Sequence, residues 1–268
     1  MADRVLTTCR VGSKLRLADH DPRETFGWDK TTAATQVTEE LVALSDLQTR
    51  LFAAKRDAVL VVLQAMDAGG KDGVLRSLFT GLNPAGVHVS SFGVPSEEER
   101  SHDYLWRVHH RCPAKGTIGI FNRSHYEDVV VVRVKSLVPA ATWRRRFGHI
   151  VDFERRLTDE GTHIVKLFLN ISKEEQRERL QDRIDSPDER WKFRRGDLDD
   201  RALWDDFMEA YTDALAKTST DTAPWYVVPA DRKWVRNLAV ARILRDVLER
   251  IDPQFPEPED DIEGLVVA

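Results

Sequence analysis

The sequence predicts an α/β fold in three layers (α/β/α), with helices on both faces of a central parallel five-stranded sheet. Apolar segments of strand length alternate with segments of helical periodicity along most of the 268 residues. Residues 58–63 (AVLVVL) are apolar at every position, as in a strand buried on both faces of a parallel sheet. These observations predict one doubly wound domain over residues 1–268, without an internal repeat.

The elements follow in order along the chain. Gly12, Pro22 and Gly27 interrupt residues 1–33, which we expect to form an irregular N-terminal arm over the core. Ser96 is a favourable N-cap that is followed by acidic residues, and Ser172 with Glu175 has the pattern of a capping box. The predicted strands are residues 58–63, 87–92, 116–121, 162–169 and 225–228. The predicted helices are residues 35–56, 73–82, a segment after Ser96, 124–133, 139–160, 172–183, 198–217 and 233–249.

Composition narrows the functional class. The 41% hydrophobic and 32% charged residues exclude a fibrous or membrane protein, and no apolar run approaches a membrane span. Two cysteines are too few for a disulfide framework, and with no signal-peptide pattern we expect a cytoplasmic protein. The net charge of −5 argues against a nucleic-acid partner. Six of the acidic residues lie in residues 252–268, which we expect to form a solvated tail, so the rest of the chain is close to neutral.

The first candidate site is the glycine-rich segment after the first strand, residues 67–73 (DAGGKDG). Glycines let backbone N–H groups turn toward a phosphate, and Lys71 at the start of a helix adds positive charge. The match to G-x-x-x-x-G-K-[ST] is incomplete, since Ala65 replaces the first glycine and Asp72 the hydroxyl residue. The alternative is an ordinary glycine-rich turn with a solvated lysine. Asp67 and Asp72 are the nearest replacements for the missing metal-binding hydroxyl.

The second candidate site, residues 121–128 (FNRSHYED), follows the third strand. Ligands of open parallel sheets bind at the carboxyl ends of the strands, so this segment should lie beside Asp67. Arg123 can bind a phosphoryl oxygen, and Glu127 and Asp128 can ligate a divalent cation. A polar turn with capping acids is the alternative explanation.

The third segment, residues 177–197, carries several arginines and lysines on both sides of Pro187. A solvated helix face explains the part up to Arg183, where i,i+4 pairs are available. Beyond Arg183 the basic residues fall in a predicted loop, which favours a mobile basic lid over a polyanion.

Together these segments resemble the family-2 polyphosphate kinases, over roughly residues 10–255. The resemblance is carried by residues 67–73, 121–128 and 183–192, with support from residues 92–96, 102–107 and 234–237. It implies a P-loop kinase-like fold with a helical lid. One branch of the family has aspartate at the position of Asn122. With asparagine there, this sequence is similar to the branches that accept AMP, or both AMP and ADP.

The resemblance also implies the reaction. Inorganic polyphosphate would donate a phosphoryl group to a purine nucleotide with Mg²⁺ or Mn²⁺, and the protein would form a dimer or tetramer. It implies catalytic roles for Asp67, Lys71, Asn122, Arg123 and Arg183. It implies phosphate or nucleotide binding by Ala68, Gly69, Gly70, Asp72, Gly73, Arg133 and Lys192. It also implies that Asp67 positions the metal or the acceptor phosphate, and Glu127 and Asp128 are the other candidate metal ligands. An ATP-dependent kinase of a small metabolite and a non-catalytic polyanion-binding module are the alternatives.

Overall fold

A computed structural model describes residues 2–12, 14–258 and 266. Its five strands form one parallel sheet, as the sequence predicts, and their order in the sheet is β2-β3-β1-β4-β5. The strands are β1 (Ala58–Gln64), β2 (Val87–Ser91), β3 (Ile118–Asn122), β4 (Thr162–Asn170) and β5 (Trp225–Pro229). β1 occupies the centre of the sheet and all its residues are buried, which explains its uninterrupted apolar run.

Two groups of helices flank the sheet, α2 with α3 and α11 in one group and α6 with α7 and α10 in the other. Among the described residues the helices are α1 (Ala2–Cys9), α2 (Lys30–Ala54), α3 (Lys71–Leu78), α4 (Glu97–Ser101), α5 (Trp106–His109), α6 (Val131–Val134), α7 (Ala140–Asp159), α8 (Lys173–Asp185), α9 (Gly196–Ala202), α10 (Trp204–Thr218) and α11 (Lys233–Ile251). In the part of the chain that the structure describes, no helix has both the length and the apolar character that a membrane span requires.

A buried polar network lies beneath the loop that follows β3. Lys166, in the middle of β4, is fully buried and its Nζ lies 2.5 Å from Glu154 Oε2. The ammonium also donates to the Tyr126 hydroxyl at 3.0 Å, which in turn donates to Glu154 Oε1 at 2.8 Å. His125 Nε2 lies 3.3 Å from the same carboxylate oxygen. The network therefore fixes two residues of the segment 121–128 from below.

The N-terminal arm differs from the irregular segment that the sequence predicts. It begins with α1, whose Val5 and Cys9 are buried, and Arg10 then forms an antiparallel bridge with Tyr226 of β5. The Asn170 amide at the carboxyl end of β4 donates to the carbonyl oxygen of His20 at 2.8 Å. The arm thus lies over the core, as expected, but it is anchored by regular structure at the beginning of β5 and by a hydrogen bond at the end of β4.

Several boundaries also differ, for local reasons. The predicted helix 124–133 is a 3₁₀ turn, His125–Asp128, followed by α6, because Ser124 caps the turn and the buried network holds His125 and Tyr126. The predicted helix 198–217 is divided at Leu203 into α9 and α10.

Two further expectations need correction. Ser172 accepts from the Glu175 amide, but the predicted capping box is incomplete because Glu175 pairs with Arg179. In the expected acidic tail, residues 254–258 are exposed, while Pro253 is buried. Residues 259–265 and 267–268 lie outside the described part of the chain.

Candidate active site

The first two sequence-predicted segments meet at the carboxyl edge of the sheet. β1 and β3 are neighbours with Leu63 opposite Asn122, so the loops that leave both strands start side by side. Asn122 Nδ2 donates to Asp72 Oδ1 at 3.2 Å, and Arg123 Nη2 donates to Asp67 Oδ1 at 2.7 Å. Two segments that are distant in sequence are therefore joined by two side-chain hydrogen bonds.

The loop from Asp67 to Gly70, which we call the phosphate loop, turns tightly into α3. Gly70 is the N-cap of α3 with φ of 97°, and Ala68 has φ of 59°, a left-handed conformation that costs energy for a residue with a side chain. A Cβ at Gly69 would lie 2.8 Å from the carbonyl oxygen of Met66, so only glycine fits there. The turn leaves the first backbone N–H groups of α3 free for an anion.

Lys71 lies among several charged groups at the start of α3. Its Nζ donates to the carbonyl oxygen of Ala65 at 3.3 Å. Loss of water and then the nearby Arg123 guanidinium lower the pKa of Lys71, while Asp67, Glu127 and Asp72 act in the opposite direction. Lys71 is therefore held over the phosphate loop, where an incoming phosphate would favour its charged form.

Arg123 links the two candidate metal-binding acids. Its Nη1 lies 3.4 Å from Glu127 Oε2, on the other side of the guanidinium from Asp67. Burial raises the pKa of Glu127, and the charges of Arg123 and Lys71 act against that rise. Arg123 itself has φ of 61°, and this strained backbone conformation directs the chain from β3 into the turn.

Asp128 does not join these acids. Its Oδ1 lies 3.2 Å from Arg146 Nη1 and its Oδ2 lies 3.9 Å from Arg107 Nη2, and both arginines are largely buried. The structure therefore does not bring Asp128 together with Asp67 and Glu127, and the described residues contain no group of three acidic, histidine or cysteine ligands. The pair Asp67 and Glu127 still fits Mg²⁺ or Mn²⁺, because Mg²⁺ commonly takes one or two carboxylates together with phosphate oxygens and water.

The first part of α8 holds the phosphate loop in place. Gln176 Nε2 donates to the carbonyl oxygen of Asp67 at 3.1 Å, and Arg179 Nη1 donates to that of Ala68 at 3.1 Å. Arg179 Nη2 also donates to the carbonyl oxygens of Ala230 and Asp231. Sequence reasoning assigned Arg179 only to a charged helix, since nothing in the spacing shows which carbonyl groups it reaches.

The remaining predicted basic residues are divided between two places. Arg183 lies 3.8 Å from Asp197, whose pKa is raised by burial and by the charge of Asp67, so both belong near the loop. Arg133 instead pairs with Glu209 and Asp213 of α10. Lys192 pairs with Glu189 at 2.7 Å. Among the described residues, the ion pairs of Arg133 and Lys192 are thus with carboxylates outside the phosphate loop.

Arg236 is the second arginine that the predicted set omits. It lies in the first turns of α11, directly after β5, and its guanidinium contacts the phosphate loop at Gly70. Its position behind the carboxyl end of a parallel strand is the signal that could have identified it.

Comparison with known proteins identifies the family of this chain. The family model described as polyphosphate kinase 2 matches residues 27–256. An AMP/ADP-polyphosphate phosphotransferase of Meiothermus ruber is 54% identical, over 95% of this chain and 95% of the relative. An ADP-polyphosphate phosphotransferase of Rhodopseudomonas palustris is 46% identical, over 80% of this chain and 78% of the relative.

A solved structure supports the same assignment. The crystal structure of polyphosphate kinase 2 from Arthrobacter aurescens TC1 superposes with a TM-score of 0.94 at 44% identity, covering 97% of this chain and 94% of that chain. The similarity thus includes the sheet, the phosphate loop and α8, as the sequence resemblance predicts. The chain belongs to the polyphosphate kinase 2 family and is an enzyme of the polyphosphate kinase type.

Proposed function

We propose that this protein transfers a phosphoryl group between inorganic polyphosphate and a nucleotide, forming ADP from AMP, ATP from ADP, or both. The observation that carries the proposal is the cluster of Lys71, Arg123, Asp67 and Glu127 around the phosphate loop. The names of the relatives from Meiothermus ruber and Rhodopseudomonas palustris support AMP and ADP as acceptors. Guanine nucleotides are further candidate acceptors.

The cluster provides the groups that phosphoryl transfer requires. An oxygen of the acceptor phosphate forms the new P–O bond while the phosphoanhydride bond of the donor breaks, and the shortened polyphosphate leaves with the electron pair. The transferred group is loosely bonded in the transition state, so that positioning and charge stabilisation do most of the catalysis. Lys71 and Arg123 provide positive charge at the phosphate loop, and Arg183 adds positive charge from α8.

A divalent cation, Mg²⁺ or Mn²⁺, is the cofactor that we propose. Asp67 and Glu127 would hold it, and it would neutralise phosphate charge when bound. Both carboxylates contact Arg123 in the structure, so Arg123 and a cation share the same two partners. Asp67 therefore has two proposed roles, in holding the cation and in orienting the Arg123 side chain.

Purified protein tests the proposal directly. The protein is incubated with long-chain polyphosphate, Mg²⁺ and either AMP or ADP, and the nucleotides are separated by ion-exchange chromatography. We expect ADP, ATP or both to appear, with at least a hundredfold loss of kcat in Lys71→Met. Lys30→Met is the matched control, since Lys30 is exposed at the start of α2. Absence of turnover with every purine nucleotide would refute the proposal.

We further propose that the protein acts in the cytoplasm as a homo-oligomer, either a dimer or a tetramer. Its two cysteines, Cys9 and Cys112, are free thiols, as is usual in a reducing compartment. Val89 on the outer strand β2 is 50% exposed and Val94 after it is 89% exposed, which provides apolar area for contact between copies. Light scattering coupled to size-exclusion chromatography measures the assembly, and a monomer at micromolar concentration would contradict this expectation.

A further inference from the structure

The guanidinium of Arg236 lies against the first turn of α3. The side chain is 3% exposed, and its nitrogens occupy the space that a Cβ at Gly70 or Gly73 would need. A Cβ at Gly73 would lie 2.8 Å from Nη2. Gly70 and Gly73 therefore form a flat backbone surface on which this guanidinium rests. That surface is part of the phosphate loop and of the N-terminus of α3.

The positive charge of Arg236 has no acidic partner. Its Nε and Nη2 donate to Asn237 Oδ1, at 3.0 and 2.8 Å, and that acceptor is a neutral amide. Within the described residues, Arg236 forms no ion pair with a carboxylate, and its hydrogen bonds from Nε and Nη2 leave Nη1 without an acceptor. A buried guanidinium without a counter-ion is costly, so a site that keeps one is suited to an anion.

Arg179 makes the contrast clear. It lies close to the same side of Gly70, yet its Nε pairs with Glu175 at 2.7 Å and its other nitrogens donate to backbone carbonyl oxygens. Arg179 thus uses four of its five N–H groups to hold the loop and its neighbours, and it has Glu175 as an acidic partner. Burial and the neighbouring charge of Arg179 lower the pKa of Arg236 to about 10, which leaves Arg236 charged at neutral pH.

We propose that Arg236 is a substrate-binding residue, whose Nη1 donates to an oxygen of the phosphate held by the phosphate loop. The phosphate comes from inorganic polyphosphate or from the nucleotide, and the chemistry of recognition is the same for both. The inference rests on the proposed function for the identity of these ligands. Asn237 fixes the guanidinium in advance, because its Nδ2 donates to Ser77 Oγ of α3 at 2.8 Å. A donor that is already oriented binds the anion without further ordering.

Binding of inorganic tripolyphosphate, measured by isothermal titration calorimetry without turnover, tests the proposal. Two neutral variants are used, Arg236→Met and Arg236→Gln, because Gln can keep a hydrogen bond to Asn237 if Met impairs folding. We expect each neutral variant that folds to bind tripolyphosphate at least tenfold more weakly, since a hydrogen bond from a charged donor is lost. Arg236→Lys should recover part of the affinity.

Arg242→Met is the matched control. Arg242 is also on α11 and largely buried, but it pairs with Glu40 of α2. We expect this variant to lose stability while keeping the wild-type affinity for tripolyphosphate. A purely structural role of Arg236 would lower the melting temperature equally with and without tripolyphosphate, whereas the proposed role reduces the increase that tripolyphosphate produces.

The outcomes separate this inference from the proposed function. A folded neutral variant that binds both tripolyphosphate and ADP with wild-type affinity would overturn the role of Arg236, whether or not the wild type is active. Weaker binding of ADP alone would support the role and identify the nucleotide as the source of the phosphate. Absence of turnover in a wild type whose tripolyphosphate binding depends on Arg236 would refute only the proposed function.

Discussion

The effect of Gly73→Ala on the free energy of unfolding should change sign when Arg236 is removed. A Cβ at Gly73 would meet Nη2 at 2.8 Å and Cζ at 3.3 Å, and the guanidinium is held by Asn237. Overpacking of this kind costs about 1–3 kcal/mol. Alanine in a helix gains about 1 kcal/mol over glycine. Gly73→Ala should therefore destabilise the wild type by about 0–2 kcal/mol, and should stabilise Arg236→Ala by about 1 kcal/mol.

Urea unfolding of the wild type, both single variants and the double variant gives the four free energies. The difference between the two effects of alanine should be about 1–3 kcal/mol, which is the cost of the contact alone. Gly148→Ala in α7 is the control, because nothing lies within 4 Å of a Cβ there. It should stabilise both backgrounds by about 1 kcal/mol. If Gly73→Ala had the same effect in both backgrounds, the placement of Arg236 on this surface would be wrong.

Three further predictions concern other groups. Lys166→Met should lower the free energy of unfolding by about 3–5 kcal/mol, because it leaves Glu154 buried without a cation, and adding Glu154→Gln should recover part of the loss in urea unfolding. In Lys166→Met the pKa of Glu154 should rise, so that folding takes up a proton. The loss of unfolding free energy relative to the wild type should therefore shrink as the pH falls from 8 to 5, and a loss that grows would contradict this sign. Asp67→Asn should raise the Mg²⁺ concentration needed for half-maximal activity, whereas Asp128→Asn should leave it unchanged and lower the melting temperature, since Asp128 pairs with Arg146. Arg133→Ala and Lys192→Ala should keep kcat within about threefold of the wild type. Arg183→Ala should lower kcat by tenfold or more, which is the size expected when a hydrogen bond from a charged donor is lost. Equal losses in all three variants would contradict the difference between Arg183 and the other two residues.

The parallel sheet and the phosphate loop could be predicted because their signals are local. The apolar run of β1 and the glycines and lysine behind it lie within sixteen consecutive residues, from 58 to 73. The meeting of Asp67 with Arg123 follows from the rule that parallel strands share a carboxyl edge. The orientation of Asp128 could not be predicted, because it depends on Arg107 and Arg146, which approach from other helices. Arg236 is remote in sequence from the glycines it covers, and only the placement of α11 beside α3 brings them together.

The beginning of α8 is attached to the phosphate loop, whereas the end of this helix is not held by these contacts. Gln176 and Arg179 bind the carbonyl oxygens of Asp67 and Ala68, so the first two turns of α8 move with the loop as one rigid body. We infer that the hinge of a closing lid lies beyond Arg183, in the stretch from Ser186 to Arg195 that contains Pro187 and the 77% exposed Trp191. Closure by movement within this stretch would leave the phosphate loop undistorted.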